Sequence, residues 1–329
     1  MKYDRRITER FERFILQSEA LRRFLGSPGA LGSVPTRPPV VLDAQLRLGD
    51  LVTVYAGATK VLDIRQTSAG KLRASAAATY VKQAGAGVFG TFSNDDLPTH
   101  LDAWYSFFGA VNVDAAWVKE GTWQAWLARR GFLGLHEPWA VLDREAQPEG
   151  VDRKIQQWLA AKRAPWKAAM AEEMPRQRNA VQGVDPGASP DFLAVLPTGD
   201  LGIIEVKHGS NGAGIYYGPV QVGGYVALWQ ELLAQDRDTV GNLNAMIEQR
   251  QRIGLLSSLF PRVRTNPKCI PLLVVGAPKA ASPVWGAAGL LDKAIRAAKS
   301  AGAPLHDLEV WVATETDMRL RNVTKTLAP

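Results

Sequence analysis

Apolar and polar positions recur with two different periods along this chain, and the changes of period mark its elements. Residues 1–25 carry Phe11, Phe14, Ile15, Leu21, Phe24 and Leu25 on or near one stripe, which predicts a helix. Residues 26–39, GSPGALGSVPTRPP, break any period with proline and glycine and read as a linker. Residues 40–82 alternate in places (LVTVYAG, KVLDIRQ, KLRASAAATYV), which predicts three short antiparallel strands. Residues 100–150 return to helical spacing, with a strand near 139–142. From about 150 the order becomes helix, hairpin, helix, strand 270–276, helix 286–300 and strand 307–314, with 236–268 as an insertion after the second helix. That succession predicts an α/β chain of α+β type: a mixed sheet with helices on its faces over residues 150–329. An N-terminal helical and antiparallel β extension, residues 1–149, precedes it, and its role stays open.

Composition narrows the picture modestly. At 329 residues with 46% apolar content the chain can bury one large core or two modest ones. The net charge of +7 and the pI near 9.5 favour polyanionic partners. Segment 151–178 holds seven Lys or Arg against three acids, and 250–268 holds Arg250, Arg252, Arg262, Arg264 and Lys268 with no acid. Arg176, Arg178, Arg262 and Arg264 are therefore candidate phosphate contacts, with solvated surface charge as the alternative. Cys269 is the single cysteine, so an internal disulfide and a cysteine-held zinc or iron–sulfur cluster are excluded. It opens the apolar run CIPLLVVGAP and is expected to be a buried packing residue. The charged N-terminus lacks a secretory core, and no apolar run approaches the ~20 residues needed to cross a bilayer. A soluble, cytoplasmic protein without membrane contact is expected. Seven of the ten tryptophans lie between 104 and 166, where packing is the expected role and base stacking the alternative.

Residues 190–207, PDFLAVLPTGDLGIIEVK, carry the densest chemistry. Two apolar runs flank Thr198-Gly199-Asp200, the sequence form of a β-hairpin. A turn centred near Gly199 puts Asp191 opposite Lys207, with Glu205 and Lys207 on one face of their strand and Ile204 and Val206 on the other. Two carboxylates and one ammonium then share a surface, provided the register holds. Clustered carboxylates repel unless a positive group lies between them, and Mg²⁺ commonly takes one or two carboxylates plus phosphate oxygens. A lysine beside such a pair can orient or deprotonate a water. Metal-assisted hydrolysis of a phosphodiester suits that set, while an ordinary hairpin with a charged wet face is the plain alternative.

Pro190-Asp191 followed by Glu205-Val206-Lys207 resembles the signature of the PD-(D/E)xK nuclease superfamily. Residues 218–234 look helical, and Gln221 and Tyr225, four apart on one face, resemble the Gln-xxx-Tyr motif of its RecB-type branch. The resemblance covers about residues 150–315. It implies a restriction-endonuclease-like core with helices on both faces and a Mg²⁺- or Mn²⁺-dependent nuclease with DNA as the expected substrate, in restriction, repair or phage defence. It implies that Asp191, Glu205 and the Val206 carbonyl bind metal, that Lys207 serves the attacking water, and that Gln221 and Tyr225 support lysine and substrate. The family usually adds an acid on the preceding helix. Residues 151–174 supply one with an apolar stripe through Ile155, Leu159, Trp166 and Met170, and Glu173 continues that stripe, with Glu172 as the alternate. Pro165 offers a break that would split this helix in two. Branch members often carry an upstream histidine, for which His136 is the nearby candidate. Cutting both strands at one site would need two copies, so a homodimer or a partner protein stays open.

Two glycine-rich stretches compete for attention. Gly85–Gly90, GAGVFG, matches the string of dinucleotide-binding folds, but TFSNDDLPTH after it does not open a helix, so a flexible turn is expected. Residues 209–219, GSNGAGIYYGP, are expected to form a mobile lip over the site. His208 should face away from the site and has no assigned role. The functional alternatives to a nuclease are a non-catalytic binding protein retaining the same fold and a nucleotide-binding enzyme using Gly85–Gly90.

Overall fold

In a computed structural model of the chain, describing all residues except 27–32, 35–39, 86, 94, 112–114, 131–137, 184–185, 315–318 and 329, the N-terminal stripe folds as two helices rather than one. Helix α1 (Glu9–Gln17) starts at Thr8, whose side chain accepts from the Phe11 N–H. Helix α2 (Glu19–Gly26) starts after Ser18, whose Oγ accepts from the Leu21 N–H at 3.2 Å. Ser18 is extended, with φ −96° and ψ 100°, so a capping residue resets the period there. Most of the 26–39 linker, together with His136 and Ala86 of the Gly85–Gly90 string, lies outside the described residues.

The alternating region forms four strands rather than three, and with one short strand on either side of it makes a six-stranded antiparallel meander: β1 (Ser33–Val34), inside the expected linker, β2 (Val40–Arg47), β3 (Leu51–Ala56), β4 (Thr59–Gln66), β5 (Leu72–Ser75) and β6 (Gly90–Phe92). A short helix α3 (Ala78–Val81) precedes β6, and α4 (Leu97–Ala110) and α5 (Ala115–Arg130) follow it. Leu46, Val52, Ile64, Ala74 and Phe92 point to one face and form a core with Phe11, Phe24, Trp104 and Phe108. Gly85–Gly90 runs into strand β6, with Gly87 at φ 81° and Gly90 at φ 124°. The context is turn into strand, not strand into helix. Trp104, Trp123, Trp139 and Trp166 are buried, the packing role expected of them; the Trp117 side chain is outside the described residues.

Contacts divide the chain into two units. One is Asp4–Val141 with Gly241–Arg262. Most of the expected insertion thus belongs with the N-terminal elements. Helix α9 (Thr239–Ile253) brings Gln249, which accepts from the Ile7 N–H and donates to its carbonyl, both at 2.9 Å. Arg252 pairs with Glu12 at 2.5 Å, and Ile253 and Leu255 join the same apolar core.

The other unit is Met1–Tyr3, Leu142–Val240 and Val263–Pro329. Its elements follow the predicted order: β7 (Ala140–Arg144), α6 (Arg153–Glu173), a 3₁₀ turn at Pro175–Gln177, α7 (Arg178–Gly183), β8 (Phe192–Val195), β9 (Leu201–His208), α8 (Gly212–Gln235), β10 (Cys269–Gly276), α10 (Leu290–Ser300), β11 (Glu309–Ala313) and β12 (Leu320–Asn322). The sheet order is β12-β11-β10-β9-β8-β7. The β8/β9 and β11/β12 pairs are antiparallel, and β9/β10 and β10/β11 are parallel, so the sheet is mixed. Helix α6 is capped by Asp152 and runs unbroken past Pro165. Helix α8 starts at Gly212, six residues earlier than expected, because Asn211 accepts from the Gly214 N–H at 2.9 Å. The expected lip is therefore largely the first turns of a helix.

Candidate active site

Strand β9, LGIIEVKH, lies between β8 and β10 and is buried along almost its whole length. Period-2 alternation puts Glu205 and Lys207 on one face and Ile204 and Val206 on the other. Neither face is wet. Glu205 is 3% exposed and Lys207 7%, so both charges need partners. Lys207 Nζ donates to Glu205 Oε1 at 2.5 Å, a charge-assisted bond.

The turn sets how Asp191 meets this pair. The Leu196 N–H donates to the Asp200 carbonyl and the Gly199 N–H to the Leu196 carbonyl, both at 2.9 Å, and Gly199 has φ 80°. A three-residue loop with glycine in the left-handed region is thereby centred on Thr198, not Gly199. Phe192 pairs with Ile204 and Val195 with Leu201, and the paired strand ends there; on that register Asp191, one residue beyond, falls level with Glu205 rather than Lys207. The shift is two residues, which preserves the face. The Asp191 carbonyl accepts from the Glu145 N–H at 2.9 Å, and its Oδ2 accepts from the Val206 N–H at 2.7 Å. Burial pushes the Asp191 carboxyl up, against the opposing pull of Lys207, the Val206 amide and Arg144.

Helix α8 covers the same face. Leu273, which pairs with Glu205 across β10, points at Gly218, where an added Cβ would fall 2.7 Å from Leu273 Cδ1. Gln221 and Tyr225 lie one and two turns beyond. Tyr225 is buried, and its hydroxyl is held well above its ordinary value by that burial and by the nearby carboxylates of Glu205 and Asp191. Arg163 and a hydrogen bond from the Gln221 side chain pull the other way. Asp191, Glu205, Lys207, Gln221 and Tyr225 are thus gathered.

The other candidates are not. Glu173 is exposed and faces Arg296 of α10 at 3.8 Å. The buried stripe of α6 runs Leu159, Arg163, Trp166 and Met170 and passes to Met174, which leaves both Glu172 and Glu173 in solvent. Arg176 and Arg178 are exposed around the turn after α6. Arg262 pairs with Glu248 at 2.7 Å. Arg264 pairs with Asp200 at 2.8 Å, and its N–H donates to the Gly199 carbonyl at 3.0 Å. It clamps the turn end of the hairpin, about 20 Å along β9 from Lys207 at roughly 3.3 Å per residue. His208 bonds Ser210 Oγ at 2.7 Å.

Two buried arginines also belong to the site. Arg163, buried on α6, donates to the carbonyls of Pro186 and Gly187, and its guanidinium lies 5.4 Å from the Tyr225 ring centre. It thereby fixes the chain entering Asp191 and the ring of Tyr225 together. The signal existed: Arg163 falls four after Leu159 and three before Trp166, a polar residue on an apolar stripe. Arg144, 1% exposed and stacked 5.6 Å from the Phe192 ring centre, supplies a second cation near Asp191. No sequence pattern marks it.

Among the described residues no three His, Cys, Asp or Glu side chains gather as a metal cage. Two carboxylates and a backbone carbonyl still match the small protein share that Mg²⁺ takes when substrate and water complete its shell. Comparison with protein-family models, curated proteins and solved structures gave no match. Among the described residues no helix is long and apolar enough to cross a membrane.

Proposed function

We propose that the chain is a metal-dependent nuclease hydrolysing phosphodiester bonds in nucleic acid, with DNA as the substrate, on a restriction-endonuclease-like core built around the mixed sheet. The observation that carries this reading is the Lys207–Glu205 pair, bonded at 2.5 Å inside the sheet, with the Asp191 carboxylate held beside it by the Val206 N–H at 2.7 Å. Asp191, Glu205 and the Val206 carbonyl would hold Mg²⁺ or Mn²⁺. Bound there, the ion would supply Lewis acidity toward a phosphate oxygen and an acidified water. Lys207 Nζ, already oriented by Glu205, would bind and orient the attacking water. Gln221 and Tyr225 would fix the lysine's surroundings and exclude bulk solvent.

A second reading, a non-catalytic nucleic-acid- or partner-binding protein on the same fold, is favoured by one observation: Glu205 and Lys207 are nearly inaccessible. Incubation with linear, circular and single-stranded DNA and with RNA, each with Mg²⁺, Mn²⁺ or EDTA, separates the two. The nuclease reading expects metal-dependent cleavage that falls at least about 100-fold in Asp191→Ala and Lys207→Ala while binding persists. If no substrate is cut with any metal, or the variants cut like the wild type, the chain is not this nuclease.

A further inference from the structure

The six-stranded sheet has a polar face opposite its core, and half of it is uncovered. Register aligns Arg47, Leu51, Arg65, Arg73 and Thr91 in one row across β2–β6. Helix α5 packs on β2 and β3, and there Arg47 and Thr53 are buried. Over β4–β6 the row is open: Arg65, Arg73 and Thr91 are exposed, as are Lys71 and Ser75 on the same face.

Arg65 and Arg73 are direct cross-strand partners, which places two like charges in the least favourable relation a sheet offers. Among the described residues no ion pair or side-chain hydrogen bond joins either to an acid. Of the acids nearby, Asp63 already accepts from Thr53 Oγ1 at 2.6 Å, Asp43 on the same face is buried on β2, and Asp96 interacts with Lys71 rather than with either arginine. Three cations flanked by the hydroxyls of Ser75 and Thr91 make a shallow surface suited to a run of phosphates, with charge to attract them and donors to position them. No aromatic side chain stands among the five to stack on a base.

We propose that the open β4–β6 face of the N-terminal unit binds the phosphate backbone of duplex DNA without reading its sequence. The choice of nucleic acid as the polyanion rests on the nuclease reading. Its test does not need cleavage. Binding of a short labelled duplex is measured in EDTA between about 50 and 200 mM salt, where each phosphate contact contributes about 0.9 to the slope of log affinity against log salt. Arg65→Ala/Arg73→Ala should flatten that slope by about 2 and weaken binding at low salt about tenfold or more. Arg65→Lys/Arg73→Lys, which keeps both charges, should retain the slope. Arg13→Ala/Arg22→Ala, removing two exposed arginines of α1 and α2, should leave slope and affinity unchanged. The proposal is overturned if the double alanine variant keeps the wild-type slope, if the α1/α2 control loses as much, or if the substitutions weaken polyglutamate binding and spare DNA. A wild-type protein that cuts nothing yet shows the charge-dependent slope retains this surface and loses the nuclease reading. One that cuts DNA with a slope indifferent to Arg65 and Arg73 does the reverse.

Discussion

Taking Glu205 and Lys207 out of water costs several kcal/mol per ion unless each finds a partner, and their mutual bond is the minimum that makes this strand tolerable. Asp191 meets the same constraint with a backbone partner, the Val206 N–H, and two nearby cations, Lys207 and Arg144. Cys269 shows the opposite case, a titratable group buried where nothing favours its charge. Burial, reinforced by the Asp200 carboxylate, pushes its thiol up to about 12. The ionised form is thus disfavoured in the folded state. The stability this confers is complete below the unfolded thiol's value and is lost as pH rises through about 12. Between those limits the native thiolate is scarce. Alkylation by iodoacetamide at pH about 8.5 should be roughly 100-fold slower or more in native buffer than in denaturant, followed by mass spectrometry. Equal rates would show that the thiol is not buried.

At the scale of the element, α8 is decided by its glycines. Gly218 lets the helix approach β10 so closely that a Cβ would meet Leu273 at 2.7 Å, and this approach brings Gln221 and Tyr225 over Glu205. Gly241 of α9 has open space around it. The two positions should answer substitution with opposite sign. Gly218→Val overpacks the helix–sheet contact and should cost about 1–3 kcal/mol. Gly241→Ala gains helix propensity and should stabilise by about 0.5–1 kcal/mol. Denaturant melts of the two variants check both, and a stabilised Gly218→Val protein would mean that α8 stands further from the sheet.

At the scale of the molecule, the division into units cuts across chain order. Residues 4–141 form their core with Ile253 and Leu255, and Gln249 ties the backbone at Ile7. Burying each of those two side chains contributes about 1.5–3 kcal/mol, a large part of the roughly 5–15 kcal/mol that holds a domain together. A fragment ending at residue 141 should therefore lack a cooperative thermal transition by circular dichroism, and should regain one when residues 241–262 are joined to it by a flexible linker. A sharp melt from the short fragment alone would show that the returning segment is dispensable.

Period alone determined much of this. A two-residue repeat fixes which side chains share a strand face whatever the register, so Glu205, Lys207 and Asp191 were legible as neighbours, and the helical spacing of Gln221 and Tyr225 put them on one side of α8. Long-range geometry decided the rest. The turn's true centre shifted the hairpin register by two residues, moving Asp191 from the level of Lys207 to that of Glu205, because a hairpin's register follows its loop length. The stripe of α6 drifted past Glu173 to Met174 and carried Arg163 inward instead, because a 3.6-residue helix does not keep one residue spacing over five turns. The pairing of Arg65 with Arg73, and the return of 241–262 to the N-terminal unit, depend on strands and segments far apart in sequence. Local periodicity reports which way a side chain points. Only the folded chain decides what it points at.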